Sequence, residues 1–236
     1  MKLIKALFAS ILGVSLSAQA TIIPVSIEDV ANFDLSDKSF TINGDQFPTG
    51  NQTYAGIDFD IDTTNIWSSY LRTDNDNTND TRTVDINVDE FGVTHVYSLI
   101  STFWGENDPT ISLAQIEFIG TNGASHIVQL DGGSVVRDYN FNPTYTTTLD
   151  PTIAQEVWNN GTGAGSQHYD MQTFSLPMQF ANETLQTIRI TDNGQTGIQR
   201  TFLTALTVKT ESTVSTPGTL GLVSLSFLVL ARIKRK

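Results

Sequence analysis

The chain has no cysteine. That excludes a thiolate nucleophile, thiolate metal ligation and disulfide staples, and a domain with a core of adequate size does not need the last of these. Basic residues are also scarce: 13 Lys and Arg stand against 25 Asp and Glu. Long apolar runs are missing too. The two longest, Ala6–Leu16 and Gly218–Ala231, both fall short of the ~20 residues that a stable membrane-spanning helix requires. No segment shows an apolar stripe of helical period, so a helical bundle has no support. Assembled catalytic motifs are absent as well. There is no G-x-S-x-G, and the nearest run, Gly163-Ala164-Gly165-Ser166, lacks the strand–turn–helix setting of a nucleophile elbow. His95, His126 and His168 are spread without metal-ligand spacing. Carboxylates are so plentiful that no pair stands out as the acid and base of a glycosidase. The reading is therefore a non-enzymatic protein, with no catalytic residue assigned.

What is present begins with the two ends. Lys2 and Lys5 precede the apolar run Ala6–Leu16, and Ser-Ala-Gln-Ala ends at Ala20. A positive segment, a short apolar segment and an A-x-A signal are the parts of a secretory leader cleaved after Ala20. At the other end, Pro217 precedes the apolar stretch Gly218–Ala231, which Arg232, Lys234, Arg235 and Lys236 close. As a helix that stretch would cover ~21 Å, against a hydrocarbon core of ~30 Å, and its terminal positive charges would hold that end in the cytoplasm. The expected organisation is a signal peptide over 1–20, a β-sandwich domain over 21–211, a linker with a sorting motif over 212–218, and a short hydrophobic helix with a basic tail over 219–236. Between Thr21 and Thr216 lie all 25 acidic residues and seven basic ones, so that segment carries 7 − 25 = −18. Such a surface repels phosphate backbones and disfavours nucleic acid as a partner.

The central segment reads as strands. Val84, Ile86 and Val88 alternate with Asp85 and Asn87; Ile116 and Phe118 flank Glu117; Val128 and Leu130 flank Gln129; Ile188 and Ile190 flank Arg189; Phe202, Leu206 and Val208 alternate with Thr204 and its neighbours. This is the period of half-buried strands. Turn signals separate them, among them Phe91-Gly92, Thr121-Asn122-Gly123 and Asp192-Asn193-Gly194. Many short strands with Gly-rich turns predict an all-β sandwich or barrel. Ile153–Trp158 is expected to form one short helical turn after Asp150-Pro151. Thr73–Arg82 and Asn159–His168 are expected to be polar loops at the ends of the sandwich.

Two site types deserve residue numbers. Asp74, Asp76 and Asp80 alternate with Asn75, Asn77 and Asn79 in one loop, and hard cations such as calcium want six to eight oxygen ligands of this kind. The EF-hand spacing is not met, and a solvated turn is the alternative. Sugar sites pair an aromatic platform with hydrogen-bonding groups. Trp67, Trp104, Trp158 and Tyr169 lie nearest predicted loops. Trp104, Trp158 and Tyr169 are the candidate carbohydrate-binding residues, with core or rim packing as the alternative. Arg137-Asp138 reads as a structural ion pair at a strand end.

Residues Ser215–Lys236 (STPGTLGLVSLSFLVLARIKRK) resemble the PEP-CTERM sorting signal of Gram-negative bacteria, with Ser-Thr-Pro-Gly in place of Pro-Glu-Pro. The resemblance implies an exosortase-type processing enzyme as partner, a transient inner-membrane tether, and a final location at the cell surface or in the extracellular matrix. Six stretches are similar to an uncharacterised domain of secreted bacterial proteins: GIDFDI (56–61), FGVTHVYSLISTFWG (91–105), IEFIGTNGA (116–124), DGGSVVRDYN (131–140), YDMQTFSLPMQFA (169–181) and RTFLTALTV (200–208). That resemblance implies an antiparallel jelly-roll, galactose-binding-like sandwich. The expected function is an exported, surface-directed protein that binds extracellular polysaccharide. The alternatives are a structural or adhesive matrix protein with protein partners, and a glycan-active hydrolase.

Overall fold

A computed structural model describes residues 20–36, 47–70, 81–103, 112–140, 148–161, 163–194 and 199–211. The described residues form antiparallel β-sheets with two short 3₁₀ segments, Glu28–Val30 and Met178–Asn182. The strands are β1 (Thr21–Val25), β2 (Gly50–Tyr54), β3 (Ile57–Ile61), β4 (Trp67–Ser68), β5 (Arg82–Phe91), β6 (Val93–Phe103), β7 (Ser112–Gly120), β8 (Ser125–Asp131), β9 (Ala154–Asn159), β10 (His168–Ser175), β11 (Thr184–Asp192) and β12 (Arg200–Thr210). One sheet runs β5-β11-β7-β8. The other runs β1-β12-β6-β10-β9, with the short β4 also paired to β12. β2 and β3 form a separate hairpin.

The first sheet follows the period-two pattern closely. Val84 and Ile86 of β5, Ile116 and Phe118 of β7, and Ile188 and Ile190 of β11 point into the core. Asp85 and Asn87 between them are exposed. Each buried aliphatic or aromatic side chain contributes about 1.5–3 kcal/mol by leaving water. On the outer face Arg189 of β11 donates to both carboxylate oxygens of Asp85 on β5, at 2.7 and 2.9 Å. That pair is exposed and adds little.

The second sheet departs from expectation. β12 is buried along nearly its whole length, Thr204 included. Leu203, Leu206 and Val208 face the core shared with the first sheet, while Phe202 and Ala205 face a second core. That second core is roofed by the β2–β3 hairpin and by Phe33, Leu35, Phe47 and Ile66. Phe103 sits within it, 4.5 Å from Phe202 and 5.4 Å from Phe33 between ring centroids. So β12 is a central strand between two apolar layers rather than a half-wet one.

Ile153–Trp158 is corrected: Ala154–Asn159 is the edge strand β9, paired to β10. The turn that precedes it is held by Asp150, whose carboxylate accepts from the Thr152 amide and hydroxyl. His168, expected at the end of a loop, opens β10 and is buried.

The strands give the sandwich a near and a far end. At the near end Thr21 pairs with Thr210, and the Glu211 amide donates to the Gly92 carbonyl. Gly92 makes the tight β5–β6 turn at φ 73°, a conformation that disfavours residues with a Cβ. At the far end Arg200 pairs with Phe103, and Arg82 with Asp192.

Candidate functional site

The far end holds Trp158 and Tyr169, two of the predicted site residues. Trp104, Asp74, Asp76 and Asp80 lie outside the described residues, but the residues that flank them are placed. Phe103 precedes Trp104 and ends β6; Tyr70 and Arg82 bracket the Asp/Asn segment. The rings of Tyr70 and Phe103 are 6.1 Å apart. Trp158 and Tyr169 are paired across β9 and β10 at the same end.

These two aromatics have different roles. Tyr169 is completely buried. Its ring stacks on Phe47 at 4.9 Å and packs against Trp158 at 5.5 Å. Burial pushes its phenol well above the ordinary range. A ring enclosed on this scale cannot serve as a platform for a ligand arriving from water, so Tyr169 is a core residue that braces its neighbour. Trp158 is half-buried, and Phe47 at 5.8 Å supports it from the same side. Trp67 belongs to the core between the sheets. Trp158 is thus the described candidate that is only half-buried.

On β9 and β10, where Glu156 pairs with Asp170, lies a network of charged groups that sequence order did not reveal. Arg137 donates from Nε and Nη2 to the two carboxylate oxygens of Asp170, both at 2.6 Å. Its Nη2 also donates to Glu156 Oε2 at 2.6 Å. Asp170 has no exposed side-chain surface, while Glu156 is 39% exposed. The expected pairing of Arg137 with Asp138 is corrected: the guanidinium goes to Asp170 and Glu156, and the Asp138 carboxylate accepts from the Asn140 amide. His168 Nε2 lies 3.6 Å from Asp170. Burial lowers the His168 pKa, opposed by the Asp170 carboxylate and reinforced by the Arg137 charge. Burial and the Arg137 charge both favour the neutral imidazole.

Among the described residues, the same end holds buried polar atoms without a hydrogen-bond partner: Thr102 Oγ1, Asn140 Oδ1, Gln167 Nε2 and His168 Nε2. Backbone bridges bring them together, Thr102 to Asp138 and Asn140 to Gln167. Such groups are few in folded proteins. Nearby, Asp192 ties the two sheets together. Its Oδ2 accepts from Ser69 Oγ at 2.6 Å and from the Thr201 amide at 2.7 Å, and its Oδ1 accepts from the Gly194 amide at 2.8 Å.

Among the described residues, no three His, Asp or Glu side chains converge as a metal site. No protein-family model matches the chain, and no curated protein matches its sequence.

Proposed function

We propose that this is an exported, surface-directed, non-enzymatic protein whose sandwich binds extracellular carbohydrate at the far end. One observation carries the reading. Trp158 is only half-buried on an edge strand and is braced by Phe47 and Tyr169. A braced, partly exposed aromatic side chain on an edge strand is a surface that the apolar face of a sugar ring can use.

Further features support the surrounding parts of the proposal. The eight strands β1, β5, β6, β7, β8, β10, β11 and β12, counted in chain order, lie as 1-8-3-6 in one sheet and 2-7-4-5 in the other, with β9 added at an edge. That is the strand order of a jelly roll. β1 begins at Thr21, directly after the proposed cleavage point at Ala20, so removal of a leader takes no strand residue. β12 ends at Thr210, which leaves 212–218 as a linker to the PEP-CTERM-like tail and its Pro217. An exosortase-type enzyme, an inner-membrane-tethered intermediate and a final place at the surface or in the matrix belong to the same proposal.

The test is a glycan array and polysaccharide pull-down with the purified protein, run beside Trp158→Ala and Trp104→Ala. Binding lost in Trp158→Ala supports the site. Loss in Trp104→Ala alone moves the platform to that residue. Absence of binding to every glycan refutes the proposal, and release of sugar products overturns its non-enzymatic part.

A further inference from the structure

Asparagine followed by glycine occurs four times in the chain, at 43–44, 122–123, 160–161 and 193–194. The pair carries a chemistry of its own. The glycine nitrogen can attack the carbonyl carbon of the asparagine side chain and close a succinimide ring. Glycine permits this because no side chain hinders the nitrogen or restricts the backbone. Within a fold the reaction needs a free asparagine side chain, a glycine N–H that can leave its partner, and room for the turn to close on itself. Asn43-Gly44 lies outside the described residues. The other three pairs differ in how they are held.

Asn160 is tied down by its side chain. Its Oδ1 accepts from the Gln167 amide at 2.7 Å, and its Nδ2 donates to Gln167 Oε1 at 3.4 Å. The backbone that follows is crowded, since a Cβ at Gly161 would stand 3.0 Å from Ser166 Oγ. Asn193-Gly194 is tied through the attacking nitrogen. The Gly194 amide donates to the buried Asp192 carboxylate at 2.8 Å, and Asn193 Nδ2 donates to the Ser112 carbonyl at 3.4 Å. Hydrogen bonds to an ionised acceptor are the strong ones, and this one must break before Gly194 can react.

Asn122-Gly123 is open on each count. It sits at the tip of the hairpin between β7 and β8, where Thr121, Asn122 and Gly123 are all exposed. Among the described residues no hydrogen bond holds the Asn122 side chain; its backbone amide is the bonded group, donating to Glu183 Oε2 at 2.6 Å. The Gly123 amide reaches the Gly120 carbonyl only at 3.4 Å, longer than the usual range. A Cβ at Gly123 would meet nothing within 4 Å beyond its chain neighbours.

We propose that Asn122 is a spontaneous modification site, converted by water to aspartate and isoaspartate. The Gly123 nitrogen loses its proton to solvent base as its bond to Asn122 Cγ forms. The Cγ–Nδ2 bond breaks, and the nitrogen takes up a proton and leaves as ammonia. Water then opens the ring at either carbonyl. Opening at Cγ leaves aspartate in an ordinary backbone, and opening at the main-chain carbonyl leaves isoaspartate, whose chain runs through Cβ. Either product adds a negative charge to the residue whose amide is bonded to Glu183. Isoaspartate also lengthens a turn that the Gly120 amide closes on the Ala124 carbonyl at 2.8 Å.

The test is incubation of the full-length protein in mildly alkaline buffer, once folded and once in urea. Peptide mapping by mass spectrometry follows the conversion of each asparagine, and isoaspartyl methyltransferase labels the isoaspartate. In the folded protein Asn122 should react at least about tenfold faster than Asn160 or Asn193, whose holding bonds must break first. In urea those bonds are gone, and the three should react at similar rates. Asn122→Ser, at an exposed position, should remove the fast phase and leave the slow ones. Equal rates at the three sites in the folded protein, faster reaction at Asn160 or Asn193, a fast phase that survives Asn122→Ser, or an Asn122 that stays intact in the folded protein would each overturn the assignment.

Discussion

Arg137→Met is the most informative single change in the sandwich. It takes two charged hydrogen bonds of 2.6 Å away from Asp170, a carboxylate with no exposed side-chain surface. A buried carboxylate left without compensation costs about 3–5 kcal/mol. The partner Glu156, 39% exposed, can return to water and adds little to that figure. Total domain stabilities are about 5–15 kcal/mol, so the loss is a large share. It corresponds to a fall in melting temperature of about 6–20 °C for a domain of this length. The assay is urea unfolding followed by tryptophan fluorescence, with Arg137→Met, Asp170→Leu and the double variant forming a cycle. Removing both charges leaves no buried ion, so the double variant should recover to within about 1–2 kcal/mol of the starting protein. A loss below about 1 kcal/mol for Arg137→Met would refute the reasoning. So would a double variant whose cost is the sum of the two single ones.

Three further outcomes are expected. His168 has a pKa lowered from 6.5, chiefly by burial. The unfolded chain therefore binds a proton more readily than the fold does, and stability should fall as pH drops below about 6.5. His168→Gln should flatten that slope in urea midpoints measured between pH 7.5 and 5, while the remaining slope belongs to His95, which burial also lowers. Gly120→Ala should destabilise by about 1–3 kcal/mol. A Cβ there would sit 2.6 Å from the Glu183 carboxyl carbon, and displacing that group breaks its bond from the Asn122 amide; differential scanning calorimetry measures the change. If calcium binds Asp74, Asp76 and Asp80, saturating Ca²⁺ at about 100 times its dissociation constant should add about 2.7 kcal/mol. Asp76→Ala should abolish the gain, and a melting curve unmoved by EDTA and then Ca²⁺ rules that site out.

Some of this was legible in the sequence and some was not, for physical reasons. β5, β7 and β11 have one wet face, so Val84, Ile86, Ile116, Ile188 and Ile190 announce themselves by alternation. β12 hides its role because Thr201, Thr204 and Thr207 give it an apparent polar phase, yet they are buried and both of its faces are covered. Ala154, Gln155 and Glu156 are good helix formers, and pairing with β10 overrides that preference. Asp138 seemed the natural partner of Arg137 because it is adjacent, yet successive side chains on extended backbone point to opposite sides. The true partners lie 33 and 19 positions away.

The ends of β12 have a mechanical consequence. Its last residue lies at the end where Thr21 and Glu211 sit, and its first residue, Arg200, pairs with Phe103 at the opposite end. A pull between Glu211 and anything held at that opposite end runs along the length of β12. The hydrogen bonds to β6 and β1 then lie across the direction of force and share the load together, as in a lap joint. A pull on β9, at the sheet edge, would instead open its bonds to β10 one after another, like a peeling seam. A tether at the C-terminal end and a grip at the far end would thus load the sandwich in its stronger direction.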